Sequence, residues 1–367
     1  MKIYIVGGYL RDQLLGISAQ DKDFVVVGSS PEEMLAKGFQ PIGQDFPVFL
    51  HPQTKEEYAL ARTERKSGQG YKGFTFYANS DVTLEQDLFR RDFTINAIAQ
   101  EINLDGERIG PFIDPFGGQK DLSKKLLKHV SPAFEEDPLR ILRLARFMAK
   151  LTDFQVDPGT LHLVKQMVLD GELKYLVAER VWQELSKGLL EQDPSRMLDL
   201  LHEINASKFF FPQDFDQPNI FQKTKELVLL GAHHQQDLST QLAYMLSQIN
   251  RDQLDRWVTQ WKIPNDLQQF SKIFHLLLNS YSSALADPSA TLAFFDQVDL
   301  WRKTARLEKA LLAAQWVGVD ISQWKKRIHA ALSVDSGAIA KMTVSQDGKM
   351  IQAAVSKARL QAIVACL

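Results

Sequence analysis

The sequence predicts an α+β protein, with an α/β head over residues 1–130 followed by an all-helical remainder. Three observations predict it. The first 130 residues alternate short β-branched runs with Gly and Pro punctuation. Beyond Ser131 the apolar residues recur at helical spacing. Near the N-terminus, Asp21 and Asp23 open a β-branched run that lies downstream of a Gly-Gly turn.

In chain order, Met1-Lys2-Ile3-Tyr4-Ile5-Val6 reads as a buried strand that runs into Gly7-Gly8. Further strands are expected over residues 24–27, 46–51, 57–62 and 95–99, with Gly28 as a turn residue closing the second run. Helices are expected between them, over 31–35 and 84–89. Residues 63–77 are polar and glycine-rich without usable periodicity, and read as a mobile loop. From 137 to 150 the residues Leu139, Leu142, Phe147 and Met148 share one broad face. Helices are then expected over 158–169, 178–191, 194–203, 219–230, 236–249, 251–261, 265–279, 298–315, 321–332 and 349–365, with breaks at Phe211-Pro212, Ile263-Pro264 and Asp287-Pro288. The cluster Phe209-Phe210-Phe211-Pro212 reads as a helix end packed into a core.

A chain of 367 residues has room for two or more domains, and 45% hydrophobic content suffices for packed cores. The net charge of −2 supplies no global attraction to nucleic acid, so such a partner needs a local basic surface. The lone cysteine, Cys366, excludes an intrachain disulfide framework and a cysteine-based zinc site, and fits a reducing compartment. No signal-peptide pattern opens the chain and no apolar run reaches membrane-spanning length, so a soluble cytoplasmic protein is expected.

In a strand, side chains two apart share a face, so Asp21 and Asp23 bring two carboxylates together. Two such charges need a cation, and paired carboxylates suit Mg²⁺ shared with substrate phosphates. A glycine pair between strand and helix lets backbone N–H groups approach phosphate. The combination proposes phosphoryl or nucleotidyl transfer. Alone, an Asp-x-Asp pair is common on surface strands; with Gly7-Gly8 and Arg11-Asp12 upstream it carries more weight.

Arg90-Arg91-Asp92-Phe93-Thr94-Ile95-Asn96-Ala97 sets two arginines before an apolar segment. A guanidinium fork matches phosphate oxygens, although a solvated pair beside a capping Asp92 is the simpler alternative. In Glu136-Asp137-Pro138-Leu139-Arg140-Ile141-Leu142-Arg143-Leu144-Ala145-Arg146-Phe147, Pro138 suits a first helical turn. Asp137, Arg140, Arg143 and Arg146 then form one row at steps of three. Unopposed arginines suggest a polyanion or bases, and an Asp with an Arg fork can pair with a base edge. The alternative is that these arginines meet acidic neighbours elsewhere in the fold.

These motifs, with Asp114-Pro115-Phe116-Gly117-Gly118 and Asp121-Leu122, occur in the order and spacing of the class II tRNA nucleotidyltransferases. Those are the bacterial CCA-adding enzymes of the DNA polymerase beta superfamily, which the first 210 or so residues resemble closely. The resemblance implies a polymerase-beta-like nucleotidyltransferase head with a mixed β-sheet at 1–130. It implies a helical neck with the nucleobase-template helix at 131–212, and a helical, tRNA-binding body and tail at 213–367. It implies stepwise addition of C, C and A to the tRNA 3′ end from CTP and ATP, without a nucleic-acid template.

By matching motif, Asp21 and Asp23 are the implied catalytic residues and Mg²⁺ ligands, in a two-metal in-line attack by the tRNA 3′-hydroxyl. Gly8 and Arg11 would hold nucleotide phosphates, and Arg91 with Asp92 and Asn96 would fix triphosphate and ribose. Asp137 and Arg140 would pair with the base, and Arg143 and Arg146 would support that helix and the nucleotide. Residues 114–122 would be a hinge, and the loop at 63–77 would serve addition of A. Glu57 is the candidate third carboxylate.

Many relatives end in an HD phosphohydrolase domain, which needs a His-Asp dipeptide. This chain has eight histidines and no such dipeptide: His233-His234 precedes Gln235-Gln236-Asp237 and reads as a solvated helix start. No phosphohydrolase activity is expected. Lys124, Lys125, Lys128, the basic residues from Arg143 to Lys150, and Lys325-Lys326-Arg327 are candidate tRNA phosphate contacts, although such groups are more often solvated charge clusters. Poly(A) polymerase shares the head and is the rival enzyme; a catalytically inactive RNA-binding protein is the rival from another class. Nothing in the sequence sets an oligomeric state.

Overall fold

The first apolar run folds as β1 (Lys2–Val6), buried beyond Lys2, in a computed structural model describing residues 1–19, 21–42, 48–66, 74–77, 80–103, 106–343 and 348–366. It passes through Gly7 into α1 (Gly8–Leu14), then β2 (Asp23–Val27), α2 (Pro31–Ala36), β3 (Gln40–Ile42), β4 (Val48–Leu50) and β5 (Glu57–Leu60). Next come β6 (Thr63–Lys66), β7 (Phe74–Tyr77), α3 (Leu84–Phe89), β8 (Ala99–Ile102), β9 (Arg108–Ile113), α4 (Gly118–Ser123) and β10 (Leu126–Leu127). The head sheet runs β3-β4-β5-β2-β1-β8-β9. It is mixed, because β2 and β5 pair in parallel while β1 pairs antiparallel with both β2 and β8.

The strand period sorts the two faces. On one, Phe24 of β2 stacks on Tyr58 of β5 with ring centroids 4.4 Å apart. On the other, Tyr4, Val6 and Val25 pack with Leu84 and Leu88 of α3. Helix α3 starts at a capping box, in which Thr83 and Gln86 satisfy each other's backbone N–H groups.

Two head expectations are corrected, and a third falls partly outside the described residues. The strand expected over 95–99 is a 3-10 turn, Thr94–Asn96, and the ladder starts only at Ala99. Asn96 bonds Asp92 and Arg11 through its side chain, which holds this stretch in a turn. The expected loop at 63–77 is an antiparallel hairpin of β6 and β7 at its flanks; residues 67–73 lie outside the described residues. Of the strand expected over 46–51, Val48–Leu50 forms β4, His51 lies just past its end, and 46 and 47 lie outside the described residues.

The chain divides into two compact units, Met1–Phe210 and Phe211–Leu367. The first continues with α5 (Leu139–Lys150), β11 (Gln155–Val156), α6 (Pro158–Leu169), α7 (Ala178–Leu189), α8 (Pro194–Glu203) and α9 (Ser207–Phe210). Helix α5 begins two residues later than expected, because Asp137 is extended, with φ −121° and ψ 101°. It buries Ile141, Leu144, Ala145 and Ala149 and packs on α7 and α8.

The second unit is helical: α10 (Pro218–His233), α11 (Leu238–Leu246), α12 (Arg251–Gln260), α13 (Asn265–Ala284), α14 (Pro288–Gln297), α15 (Thr304–Trp316), α16 (Ser322–Leu332), α17 (Ser336–Met342) and α18 (Gly348–Ala365). The helix expected over 298–315 starts only at Thr304, as α15, because Asp299 with φ 55° breaks the chain after α14, a helix the sequence reading did not expect. His233 ends α10 rather than starting a helix, and His234 stacks on Trp316 at 3.7 Å. Arg327 is also corrected. It is buried, donating to the Thr291 hydroxyl and the Leu285 carbonyl, so it is no surface phosphate contact. Among the described residues no helix is long and apolar enough to cross a membrane.

Candidate active site

The turn between β1 and α1 builds one wall of a cleft. Gly7 has φ +73°, and a Cβ there would lie 3.0 Å from Arg91 Nη1 and 4.0 Å from Asp23 Oδ2. Only glycine allows so close an approach in that conformation. Gly8 lies beside Arg11 Nη2. Gly7, Gly8, Arg11, Asp21, Asp23, Arg91, Arg143 and Arg146 all line this half of the cleft. Asp23, Glu57, Arg91, Asp137, Arg140 and Arg143 line the adjoining half. Each half encloses about 630 Å³, within the size range of small-ligand sites.

Asp21 and Asp23 are both exposed at the mouth of β2. Although open to solvent, Asp23 stands among protein atoms on its other sides. That burial, reinforced by the Asp21 charge, outweighs Arg91, Arg143 and Arg11 and pushes its carboxyl above the ordinary value. A carboxylate so destabilised is relieved by a cation, and oxygen-only donors suit a hard one. Glu57 follows from the register. Phe24 pairs with Tyr58, so Asp23 and Glu57 lie one residue back on neighbouring parallel strands, on the opposite face. Among the described residues no group of three or more His, Cys, Asp or Glu side chains converges on a point.

Behind the carboxylates runs a chain of charge-assisted bonds. Lys150 donates to Asp12 at 2.9 Å, and Arg11 Nε to the same carboxylate at 2.8 Å. Arg11 Nη1 reaches Asn96 Oδ1 at 2.6 Å, Asn96 donates to Asp92 at 2.9 Å, and Arg143 Nε donates to Asp92 at 2.7 Å. Asp92 is buried, and burial alone would raise its pKa. The Arg143 charge, the Asn96 hydrogen bond and Arg140 together outweigh that and hold it well below the usual carboxylate range. Arg11 rests over the Phe147 ring, 4.9 Å from its centroid, tying α1 to α5.

The arginine row of α5 differs from expectation. Arg143 and Arg146 are opposed: both meet the buried Glu184 of α7, Arg146 at 2.7 Å, and Arg146 approaches Glu191 at 3.7 Å. The alternative, arginines meeting acids elsewhere in the fold, is the one observed. Arg140 is buried and donates to the Ala133 carbonyl at 2.7 Å and the Arg90 carbonyl at 2.6 Å. Asp137 is held by Arg180 at 2.8 Å. Asp137 and Arg140 therefore border the cleft with their polar atoms engaged by other groups and not by each other.

Arg91 is the more available guanidinium. It pairs with Asp87 at 3.2 Å, and its buried Nε finds no hydrogen-bond partner among the described residues. A part-exposed guanidinium on the cleft wall suits an anion. Burial, then the charges of Arg62, Arg91 and Arg140, push the Arg90 guanidinium below its ordinary value, a consequence of the positive field those cations set up there.

Sequence reasoning expected the helix that is α7 but gave its residues no part in the site; Arg180, Glu184 and Lys187 border the same cleft. Their spacing of four and three places them on one helix face, which is the signal that could have found them. The expected hinge is pinned: Asp114 accepts from the Gly118 and Gln119 amides at 2.7 and 2.8 Å, and Asp121 from the Thr94 hydroxyl at 2.7 Å.

Residues 3–128 match the family model described as the poly A polymerase head domain, and residues 153–214 that described as a probable RNA and SrmB-binding site of polymerase A. The chain is 44% identical over 365 residues to the CCA-adding enzyme of Bordetella pertussis, covering 99% of this chain and 96% of the relative. It is 40% identical over 411 residues to the multifunctional CCA protein of Burkholderia multivorans, covering 100% and 99%. Among solved structures, an apo CCA-adding enzyme superposes with a TM-score of 0.71 at 24% identity, over 99% of this chain and 90% of that one. The Thermotoga maritima CCA-adding enzyme complexed with tRNA gives 0.67 at 24% identity, over 98% and 86%. The solved structures share the fold.

Proposed function

The chain belongs to the bacterial class II CCA-adding enzymes, and we propose from that premise that it completes the 3′ end of tRNA by adding C, C and A in turn from CTP and ATP, without a nucleic-acid template. The observation that carries this reading is the 44% identity to a CCA-adding enzyme over 365 residues, nearly the whole of both chains. Divalent-metal use comes with the family. Magnesium is our specific proposal, held by Asp21 and Asp23 with Glu57 as a third carboxylate. Bound there, it would activate the attacking 3′-hydroxyl and offset charge on the α-phosphate and the leaving pyrophosphate.

The chain's own residues do the rest by positioning. The Gly8 backbone, Arg11 and Arg91 hold the triphosphate, with Asp92 and Asn96 bracing Arg11 and Arg143 from behind. Asp137 and Arg140 read the base edge, which requires Arg140 to exchange its carbonyl partners for the base. Arg143 and Arg146 stiffen α5 through Glu184. A wrong base leaves a donor or acceptor unmatched, at about 1–3 kcal/mol per group. The functional division we propose is head 1–130, neck 131–212 and tRNA-binding body and tail 213–367, acting in the cytoplasm.

Purified protein incubated with tRNA lacking its last three nucleotides, CTP, ATP and Mg²⁺ is expected to extend it by three nucleotides on a sequencing gel. A long A tail would instead make it a poly(A) polymerase. Incorporation unchanged in Asp21→Ala would sink the enzymatic assignment of that residue.

A further inference from the structure

Helix α7 supplies a contact that none of the sequence motifs contains. Arg180 meets Asp137 with both prongs: Nη1 lies 3.2 Å from Oδ1 and Nη2 2.8 Å from Oδ2. Asp137 Oδ1 also accepts from the Leu139 amide at 3.1 Å. A carboxylate oxygen offers two lone pairs. At Oδ1 both are therefore used, and at Oδ2 one is open. Each of the two side chains is 26% exposed, so the pair stands at the cleft wall rather than deep inside it. Arg140, by contrast, has both terminal nitrogens on backbone carbonyls. Asp137 is thus the base-reading group already oriented before a nucleotide arrives, and Arg180 orients it.

We propose that Arg180 is a positioning residue for nucleobase selection. Its fork fixes the Asp137 carboxylate so that Oδ2 alone is left to accept a hydrogen bond from the exocyclic amine of cytosine or adenine. Uracil and guanine present a carbonyl oxygen at that place, so acceptor would face acceptor. Without Arg180 only the Leu139 amide holds the carboxylate at Oδ1, so Oδ2 can swing and water can bridge it to the wrong base. The inference deepens the proposed function, since it rests on Asp137 reading the base edge. Glu184, one turn further along α7, does the corresponding work for the arginines of α5 by holding Arg143 and Arg146.

The test is single-nucleotide incorporation by Arg180→Gln, Arg180→Lys and Asp137→Ala. It compares kcat/KM for CTP against UTP on tRNA lacking CCA, and for ATP against GTP on tRNA ending in CC. Arg180→Gln should lower both ratios about tenfold, the effect of one mismatched hydrogen bond of ~1.4 kcal/mol. Arg180→Lys should fall between, because a point charge cannot hold both oxygens. Thermal unfolding of both should stay close to wild type, since a partly exposed pair contributes little to stability. If Arg180→Gln keeps both ratios while Asp137→Ala collapses them, the positioning role is wrong and base reading by Asp137 stands. If Asp137→Ala keeps them as well, base reading falls too. Should Arg180→Gln raise kcat/KM for CTP with its ratio intact, the pair is a latch that nucleotide must break, and the proposal is overturned.

Discussion

Asp23 carries its charge at a cost to the fold. Burial and the Asp21 charge raise its pKa in the folded chain. A raised carboxylate pKa means the folded state binds the proton more tightly than the unfolded one. Stability is therefore lost as pH rises through the interval between the unfolded and folded values. Asp23→Asn removes that charge, so it should lose more than about 100-fold in activity while melting no lower than wild type in metal-free buffer; first-sphere ligands matter at least as much as the outer ones worth 10–100-fold. Wild-type rates should fall on acidification above the usual carboxylate range, and added divalent cation should move that limb to lower pH. Rate profiles at two metal concentrations check it, and a limb that does not move contradicts metal binding by Asp23. The carboxylates and glycines of the cleft were legible because each motif is local: Asp21 and Asp23 lie two apart, and Gly7 and Gly8 adjoin the strand they close. The partners of Arg143 and Arg146 were not, because Glu184 comes from another helix, 38 residues beyond Arg146.

Elements were legible where the chain punctuates itself. Helices α6 and α8 begin at Asp-Pro, with the Asp side chain capping the first turn and Pro at its start. The 3-10 turn at Thr94–Asn96 was not, because side chains from other parts of the head hold it. The same turn limits α4. A Cβ built at Gly118 would run into the Thr94 carbonyl, and backbone cannot yield as a flexible side chain can. Gly118→Ala should therefore destabilise Met1–Phe210 by about 2–3 kcal/mol, as overpacking against main chain does. Urea unfolding followed by circular dichroism measures it. A midpoint equal to wild type would mean that α4 can slide away from the turn, as a hinge there would require.

At the scale of the whole molecule, a net charge of −2 leaves RNA attraction to local cations. The candidate basic groups divide once their partners are known. Arg143, Arg146 and Lys150 are taken up by Asp92, Glu184, Glu191 and Asp12, and Lys125 pairs with Asp153. Arg327 is a buried strut. Lys124 and Lys128 in the first unit, and Lys325 and Lys326 in the second, are exposed. Each phosphate contact adds about one unit to the slope of log affinity against log salt. The double variants Lys124→Ala/Lys128→Ala and Lys325→Ala/Lys326→Ala should therefore each flatten the tRNA slope by about 1–2 units. KM for CTP should not change in either. Arg327→Ala should keep the slope and lower the melting temperature instead. Filter binding between about 50 and about 200 mM salt resolves such differences. A slope altered by the first pair alone would confine the basic tRNA footprint to Met1–Phe210 and leave the lysines of α16 as an ordinary solvated face.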